Sequence, residues 1–483
     1  MNDFIDYINL DKKNLNKIIL NDFSSSWSWG QIFYEVKNYE KIIKKNINKN
    51  IIALPIKTSR SALVYCAMLA CIKLRITFVP FHKDTNKKKI REYCEKFNSI
   101  IYLETDYNSR NKKFFKLKNI NLKKTVSSKY KKILYILFTS GSTGEPKGVM
   151  CDAKNILNTL LWSTKYLNWK KNDIIGNVTQ FSFDISLFDF FTSLYFDVPM
   201  CIISKPSNLD ISIKEIKENK VTSIFSTPSF FSQFNYNKKI NLLSKTKFKQ
   251  IISGGDFFPI SHIKEWKNSK KKIKIYNVWG PTETSIVNSM HLVTKKDLKN
   301  LNLSIGASTN KMKLSIINRK KLIHTPFTEG EICVSGQSIC KGYFLNHKSY
   351  KNSILKINGK NYFKTRDIGY FDNHKDFFIN GRKDNTIKIS GYRINLKEVE
   401  KISNTYKNVF LTACYVKKIL NTIFELRILV QLQNKKIKFD IYDFKSYLKT
   451  KLIFYKIPRI VNVINKIPLN NNGKLDREAI NKL

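Results

Sequence analysis

The chain has 483 residues, 42% of them hydrophobic, enough for about two to four domains with sizeable cores. Lys and Arg number 86 against 37 Asp and Glu, a formal charge of +49, yet the lysines are spread as pairs and triplets such as residues 87–89 and 270–272. No single basic arm stands out, so the charge argues for a solvated lysine-rich surface that attracts acidic partners, and against a nucleic-acid footprint.

Other classes are set aside as quickly. The eight cysteines include no C-x-x-C pair and the six histidines are dispersed, so neither a zinc site nor a Ser-His-Asp arrangement is visible. Reduced thiols of a cytoplasmic protein are expected. The N-terminus has no charged-then-apolar signal pattern, and the longest apolar run, residues 62–72, is too short to span a bilayer.

The first part of the chain alternates helical and strand patterns. A helix is entered over 25–39, a strand is expected over 51–56, a helix over 61–72, and strands over 76–81 and 99–103. Alternation of this kind predicts parallel sheets covered by helices. Residues 133–138, I-L-Y-I-L-F, then read as a buried strand.

Residues 139–148, T-S-G-S-T-G-E-P-K-G, follow that strand as a loop. Gly141, Gly144 and Gly148 let the backbone approach a ligand, Thr139, Ser140, Ser142 and Thr143 add hydroxyl donors, and Lys147 adds a positive charge. These are groups that hold a polyphosphate. The P-loop pattern fails, because the lysine precedes the last glycine, and a Gly/Ser surface turn is the plain alternative. The stretch resembles the phosphate loop of the AMP-forming adenylating enzymes, which include acyl-CoA synthetases, luciferases and the amino-acid adenylation domains of nonribosomal peptide synthesis. Earlier in the chain, residues 71–81 partly resemble that family's second conserved stretch, with Leu74 and Arg75 in place of its usual Ala-Gly.

Residues 180–191, Q-F-S-F-D-I-S-L-F-D-F-F, put Asp184 in an aromatic surround, where a carboxylate is costly without a cation. Asp184 or Ser186 could equally cap a helix over 187–195. The stretch resembles the F-D-x-S motif of amino-acid adenylation domains, which implies that Asp184 pairs with a substrate ammonium. Strands are expected over 200–204, 223–227, 250–253 and 274–278, with Gly254 and Gly255 opening a substrate-side turn. Residues 277–285, N-V-W-G-P-T-E-T-S, resemble the family's adenine segment. That likeness implies nucleotide contacts from Asn277, Trp279, Gly280 and Thr282, with the indole stacked on adenine, and a magnesium ligand in Glu283. In isolation, Pro281 and Glu283 also suit the first turn of a helix.

Residues 329–343 resemble a mainly structural stretch of the family. In 362–370, Y-F-K-T-R-D-I-G-Y, the resemblance implies that Asp367 binds the ribose, with Arg366 where glycine is usual; a position needing positive φ penalises arginine. In 380–400 it implies that Arg382 lies near ribose and phosphates and that Asp384 is the hinge, while Asn395 replaces a more usual glutamate. In 467–477, I-P-L-N-N-N-G-K-L-D-R, it implies that Lys474 is catalytic. Six residues follow Arg477, so no carrier or thioesterase domain is expected after it.

The resemblance therefore implies an α/β fold: a large N-terminal domain of helix-covered sheets, residues 1–383, joined by a hinge to a small α+β C-terminal lid, residues 384–483. It implies ATP and Mg2+, formation of an aminoacyl-AMP, and transfer to the phosphopantetheine thiol of an acidic carrier protein, as in free-standing adenylation domains and D-alanine:D-alanyl carrier protein ligases. The resemblance also implies pocket positions Phe188, Ile252, Gly254, Val278 and Ile286, with Ile185, Phe225 and Val287, beside Asp184; their mostly apolar character suits a small or aliphatic neutral amino acid. An acyl-CoA or aryl-CoA ligase with the same nucleotide site is the alternative within the family. From another class, a nucleic-acid-binding or degenerate, non-catalytic member would be supported by Arg366 and the +49 charge.

Overall fold

The computed structural model of the protein describes residues 8–106, 114–118, 130, 132–139, 146–299, 302–308, 311–383, 386–420, 423–434, 438–469 and 475–483. Two helix-covered sheets dominate. The nine-stranded sheet runs in the order Ala307–Ser308, Ser289–Leu292, Lys274–Trp279, Gln250–Gly254, Ser223–Ser226, Ile175–Asn177, Met200–Ile202, Ile18–Asn21, Ser26–Ser28. It is parallel from Lys274–Trp279 through Ile18–Asn21 and antiparallel at both ends. The seven-stranded sheet has the parallel strands Ile133–Thr139, Phe78–His82, Leu54–Thr58 and Ile101–Glu104 at its centre. Residues 133–139 pair antiparallel with Lys147–Asp152, Thr139 opposite Lys147, so the phosphate-loop stretch leaves and re-enters one edge of the sheet.

Two helices fill the space between these sheets. In Ala62–Lys73 every residue from Ala62 to Ile72 is buried, as expected of a helix apolar on all sides. Asp184–Phe196 is buried from Ile185 to Leu194, and the two helices meet where Tyr65 stands edge-on to Phe190 at 4.7 Å. The amphipathic helix Trp29–Asn46 starts at a capping box, in which the Ser28 hydroxyl accepts from the Gln31 amide and the Gln31 side chain accepts from the Ser28 amide. All eight cysteines are buried as thiols outside any disulfide. Among the described residues no helix is long and apolar enough to cross a membrane.

A six-stranded antiparallel sheet that the sequence reading did not anticipate follows, built on Met312–Asn318, Gly330–Gly336 and Lys360–Phe371. In Lys360–Phe371, burial alternates along the strand, the pattern of a sheet with one wet face. Residues beyond 386 have a core of their own, in which Val399, Ile428, Val430, Phe444 and Leu448 are fully buried. It is assembled from the hairpin Thr386–Ile389/Tyr392–Asn395, the helices Leu396–Ser403 and Ile441–Lys451, and a three-stranded sheet.

Both arginines found where the family usually has glycine adopt the backbone that glycine favours. Arg75 follows the Ala62–Lys73 helix with φ +57°, its N–H donating to the Ile72 carbonyl at 3.0 Å. Arg366 has φ +66°, its N–H donating to Glu331 Oε1 at 2.9 Å. Left-handed backbone costs an L-residue about 1–2 kcal/mol, against about 0.5–1 kcal/mol for the extra chain entropy of glycine. Arg75→Gly and Arg366→Gly are therefore each expected to raise stability by about 0.5–1 kcal/mol in denaturant titrations. A loss of that size at either position would show that the arginine side chain outweighs its backbone.

Candidate functional site

The parallel strands of the nine-stranded sheet all deliver their carboxyl ends to one side, where ligands of open α/β sheets bind. Thr179 and Gln180 follow Ile175–Asn177, Thr227 and Ser229 follow Ser223–Ser226, Gly254 closes Gln250–Gly254, and Trp279 to Glu283 follow from Lys274–Trp279. These segments line a cleft of about 430 Å³, completed by Thr139 from the other sheet, Asp367 and Arg382 from the antiparallel sheet, and Lys388, Tyr392 and Tyr455 from the C-terminal unit. An adjoining cavity of about 300 Å³ shares Trp279, Asp367, Arg382 and Lys388 and adds Asn277 and Phe258.

The cleft unites most of the side chains singled out from the sequence. Thr139, Asp184, Gly254, Val278, Trp279, Gly280, Thr282, Glu283, Ile286, Asp367 and Arg382 all line it, as do Ile185 and Phe225. Phe188 and Ile252 do not: Phe188 stands edge-on behind Phe225 at 5.4 Å, and Ile252 is buried in mid-strand between parallel neighbours. Val287 is likewise buried. Ser140, Gly141, Ser142, Thr143, Gly144, Asp384 and Lys474 lie outside the described residues.

Three polar groupings give the cleft its chemistry. At one end the Trp279 indole N–H donates to Asp367 Oδ2 at 3.0 Å, while Arg382 pairs with Oδ1. Asp367 is buried, so this cation and donor offset its desolvation, and a carboxylate with about four acceptor directions retains capacity for two hydroxyls. In the middle, the Thr282 hydroxyl donates to Asp184 Oδ2 at 2.6 Å and the Ile185 amide to Oδ1 at 2.9 Å. Asp184 is the first residue of its helix and Phe183 stands at the N-cap with no side-chain cap bond, so neither Asp184 nor Ser186 caps the helix; the Asp184 carboxylate lines the cleft instead. Desolvation nonetheless raises its pKa above the usual carboxylate range, with Glu283 adding to the effect and Lys388 opposing it.

The third grouping surrounds Glu283, buried in the single turn Thr282–Thr284. Tyr343 donates to its Oε1 at 3.0 Å, and the Lys147 ammonium lies 5.0 Å from the centre of the same tyrosine ring. Burial, reinforced by Glu283, drives the Tyr343 hydroxyl far above its ordinary pKa and keeps it a donor. Among the described residues no cluster of three or more His, Cys, Asp or Glu could hold a metal by itself. One hard carboxylate is a donor that fits magnesium, which keeps waters and commonly takes phosphate oxygens as its other ligands.

Sequence reasoning missed Lys388, Tyr392, Tyr455 and Tyr343. Lys388 and Tyr392 reach the cleft only because their hairpin docks there: Phe183 meets Tyr392 edge-on at 4.5 Å, and Gly391, at φ +82°, is pressed against the Thr227 side chain. Nothing in the local pattern of residues 386–395 encodes that approach. Gly254 is constrained differently, since a Cβ there would lie 2.6 Å from Val278 Cγ2 and 2.7 Å from the Val278 carbonyl oxygen. Gly254→Ala must push two paired strands apart at the cleft wall, and is expected to lower stability by about 1–3 kcal/mol in chemical denaturation. An unchanged midpoint would mean that the wall yields freely.

The family described as "AMP-binding enzyme" matches residues 12–344. Bacitracin synthase 1 of Bacillus licheniformis is 26% identical over 455 residues, which cover 90% of this chain but only 8% of that protein. The D-alanine--D-alanyl carrier protein ligase of Bacillus licheniformis is 29% identical over 355 residues, 72% of this chain and 70% of that one. The fold is also that of the Vibrio cholerae adenylation domain AlmE in complex with glycyl-adenosine-5'-phosphate, with a TM-score of 0.85 at 17% identity over 99% of this chain and 96% of that chain.

Proposed function

The chain belongs to the AMP-binding enzyme family, and on that premise we propose that it uses ATP to activate a small neutral amino acid as aminoacyl-AMP and passes the aminoacyl group to a carrier-protein thiol. The observation that carries this reading is the gathering in one cleft of an ion-paired ribose-type carboxylate, Asp367, an indole, Trp279, and a second carboxylate, Asp184, whose raised pKa suits a cationic partner.

In this reading Trp279 and Asp367 hold the adenosine, Arg382 neutralises charge beside it, and Asp184 pairs with the substrate ammonium. Ile185, Phe225, Val278 and Ile286 leave a narrow apolar recess for the side chain. Attack of the substrate carboxylate on the α-phosphorus forms one P–O bond and breaks the bond to pyrophosphate. Two anions meet in that step, so cations must be aimed at the phosphates; Lys147 and the donors of residues 139–144 serve the loop side, and Lys474 is assigned the same task from the C-terminal unit. Glu283 would hold magnesium, which supplies further charge neutralisation on the phosphates. The thiol, losing its proton, then attacks the acyl carbonyl; a C–S bond forms, the acyl C–O bond of the mixed anhydride breaks, and AMP leaves with that bond's electron pair.

Residues 384–483 act as a lid in this scheme, with Asp384 as the pivot that exchanges Lys474 for the Lys388 hairpin between the two half-reactions. The names of the relatives support an amino-acid substrate, and the +49 charge supports an acidic carrier as acceptor. ATP–pyrophosphate exchange screened over the amino acids tests the proposal: exchange with one or a few neutral amino acids is expected, and no ATP turnover with any acid would overturn it.

A further inference from the structure

Arg60 sits in the turn between the strand Leu54–Thr58 and the helix Ala62–Lys73, in the sheet away from the amino-acid end of the cleft. Its side chain crosses to the nine-stranded sheet. Nε donates to the Ile203 carbonyl at 2.5 Å, Nη1 to the Thr179 carbonyl at 3.0 Å, and Nη2 to the Asn177 carbonyl at 2.5 Å and to Asn177 Oδ1 at 3.1 Å. Each of these acceptors lies at or just past the carboxyl end of Ile175–Asn177 or Met200–Ile202. The strand Ile175–Asn177 has Met200–Ile202 on one side and Ser223–Ser226 on the other, so the chain order reverses there. An open α/β sheet leaves a crevice at such a reversal. The guanidinium is bonded on the Met200–Ile202 side of that strand, and one of its acceptors, Thr179, lines the cleft.

From Asn177 the network continues to the helix that carries Asp184. Asn177 is fully buried and donates through Nδ2 to Asp189 Oδ2 at 2.9 Å, and Asp189 is itself buried. Between these points the chain turns through Gln180, whose carbonyl accepts from the Phe183 amide at 2.9 Å and from the Ser186 hydroxyl at 2.8 Å. The Arg60 turn is itself pinned to both sheets: the Ser61 hydroxyl donates to the Thr105 carbonyl at 2.7 Å, just past Ile101–Glu104, and the Ala62 amide to Asp22 Oδ2 at 2.8 Å, just past Ile18–Asn21. Burial lowers the Arg60 pKa to about 10, so it remains a cation at neutral pH.

We infer that Arg60 is a positioning residue for the amino-acid end of the cleft: it fixes the 177–180 turn directly and, through Asn177 and Asp189, the helix that presents Asp184. The inference rests on the function proposed above. A planar guanidinium spreads its five N–H donors over three nitrogens and so reaches carbonyls at the ends of two strands in fixed directions, whereas lysine's three donors share one nitrogen on a flexible stem.

The test is ATP–pyrophosphate exchange by the full chain, wild type against Arg60→Lys, with KM measured separately for the amino acid and for ATP. The amino-acid KM is expected to rise about tenfold or more while the ATP KM stays within about twofold. A merely structural arginine would lower the amount of active protein and leave both KM values alone. If Arg60→Lys yields no folded protein, Asp189→Ala provides the same measurement at the far end of the network, with a smaller shift in the same direction. Unchanged amino-acid KM in a folded variant, or an ATP KM that rises in step with it, overturns the inference. Absence of exchange in the wild type would instead overturn the proposed function, and this inference with it.

Discussion

Asp184→Ala is expected to abolish amino-acid-dependent ATP–pyrophosphate exchange. The carboxylate is held by Thr282 at 2.6 Å and by the Ile185 amide at 2.9 Å, so it is already oriented when the substrate arrives. Removing one partner of such an enclosed charge pair costs about 2–5 kcal/mol, or roughly 30- to several thousand-fold in kcat/KM. An acid without an amine gains nothing from Asp184. Exchange driven by a fatty or aryl acid that survives Asp184→Ala would therefore favour an acyl-CoA or aryl-CoA ligase.

The raised pKa of Asp184 adds a pH dependence whose sign can be worked out. Because the folded-state value lies above the ordinary 3.8, the group favours folding below that ordinary value and loses the contribution as pH rises through the raised one. A bound ammonium favours the ionised carboxylate that burial disfavours. Amino-acid affinity should thus fall as pH drops through the raised pKa, and a KM profile extended towards acid pH should show that limb. Asp184→Asn should lack it; a limb that persists in Asp184→Asn belongs to another group.

Asp367→Ala should have the second largest effect, on the nucleotide. It removes the acceptor of the Trp279 indole N–H and the carboxylate paired with Arg382. Losing this buried carboxylate together with the ribose acceptor is expected to cost about 3 kcal/mol or more, roughly a hundredfold in ATP affinity. Titration calorimetry with ATP measures this without turnover. Asp367→Asn, which keeps the shape and one acceptor, should lose less. Unaltered ATP binding in Asp367→Ala would place the nucleotide elsewhere.

What could be read from the sequence follows how local the chemistry is. Trp279, Thr282 and Glu283 fall within one strand-to-turn segment, so their joint arrival at the cleft needed no knowledge of distant contacts. Arg75 and Arg366 stood out because each occupies a position where glycine is usual, and their positive φ values follow from the same local requirement. Strand ends were less legible: residues 51–56 looked like a strand, but pairing runs over Leu54–Thr58, because the register is set by Phe78–His82 and not by the apolar run itself. Phe188 and Ile252 were expected in the pocket from the family resemblance, whereas Phe225, edge-on to Phe188 at 5.4 Å, is the ring that lines the cleft. Lys388 and Tyr392 were invisible for the opposite reason, since only the docking of a separate unit brings them to the site.

That docking surface is made of rings. His82 lies 4.1 Å from Phe454, and Tyr392 stacks on Tyr455 at 4.5 Å while meeting Phe183 edge-on. Attraction between ring edges and faces is broad in angle and distance, and it needs no donor to find one particular acceptor. A joint of this kind can trade one set of ring neighbours for the next at little cost, and the charge it would have to part with is Lys388, which offsets the buried Asp184 carboxylate.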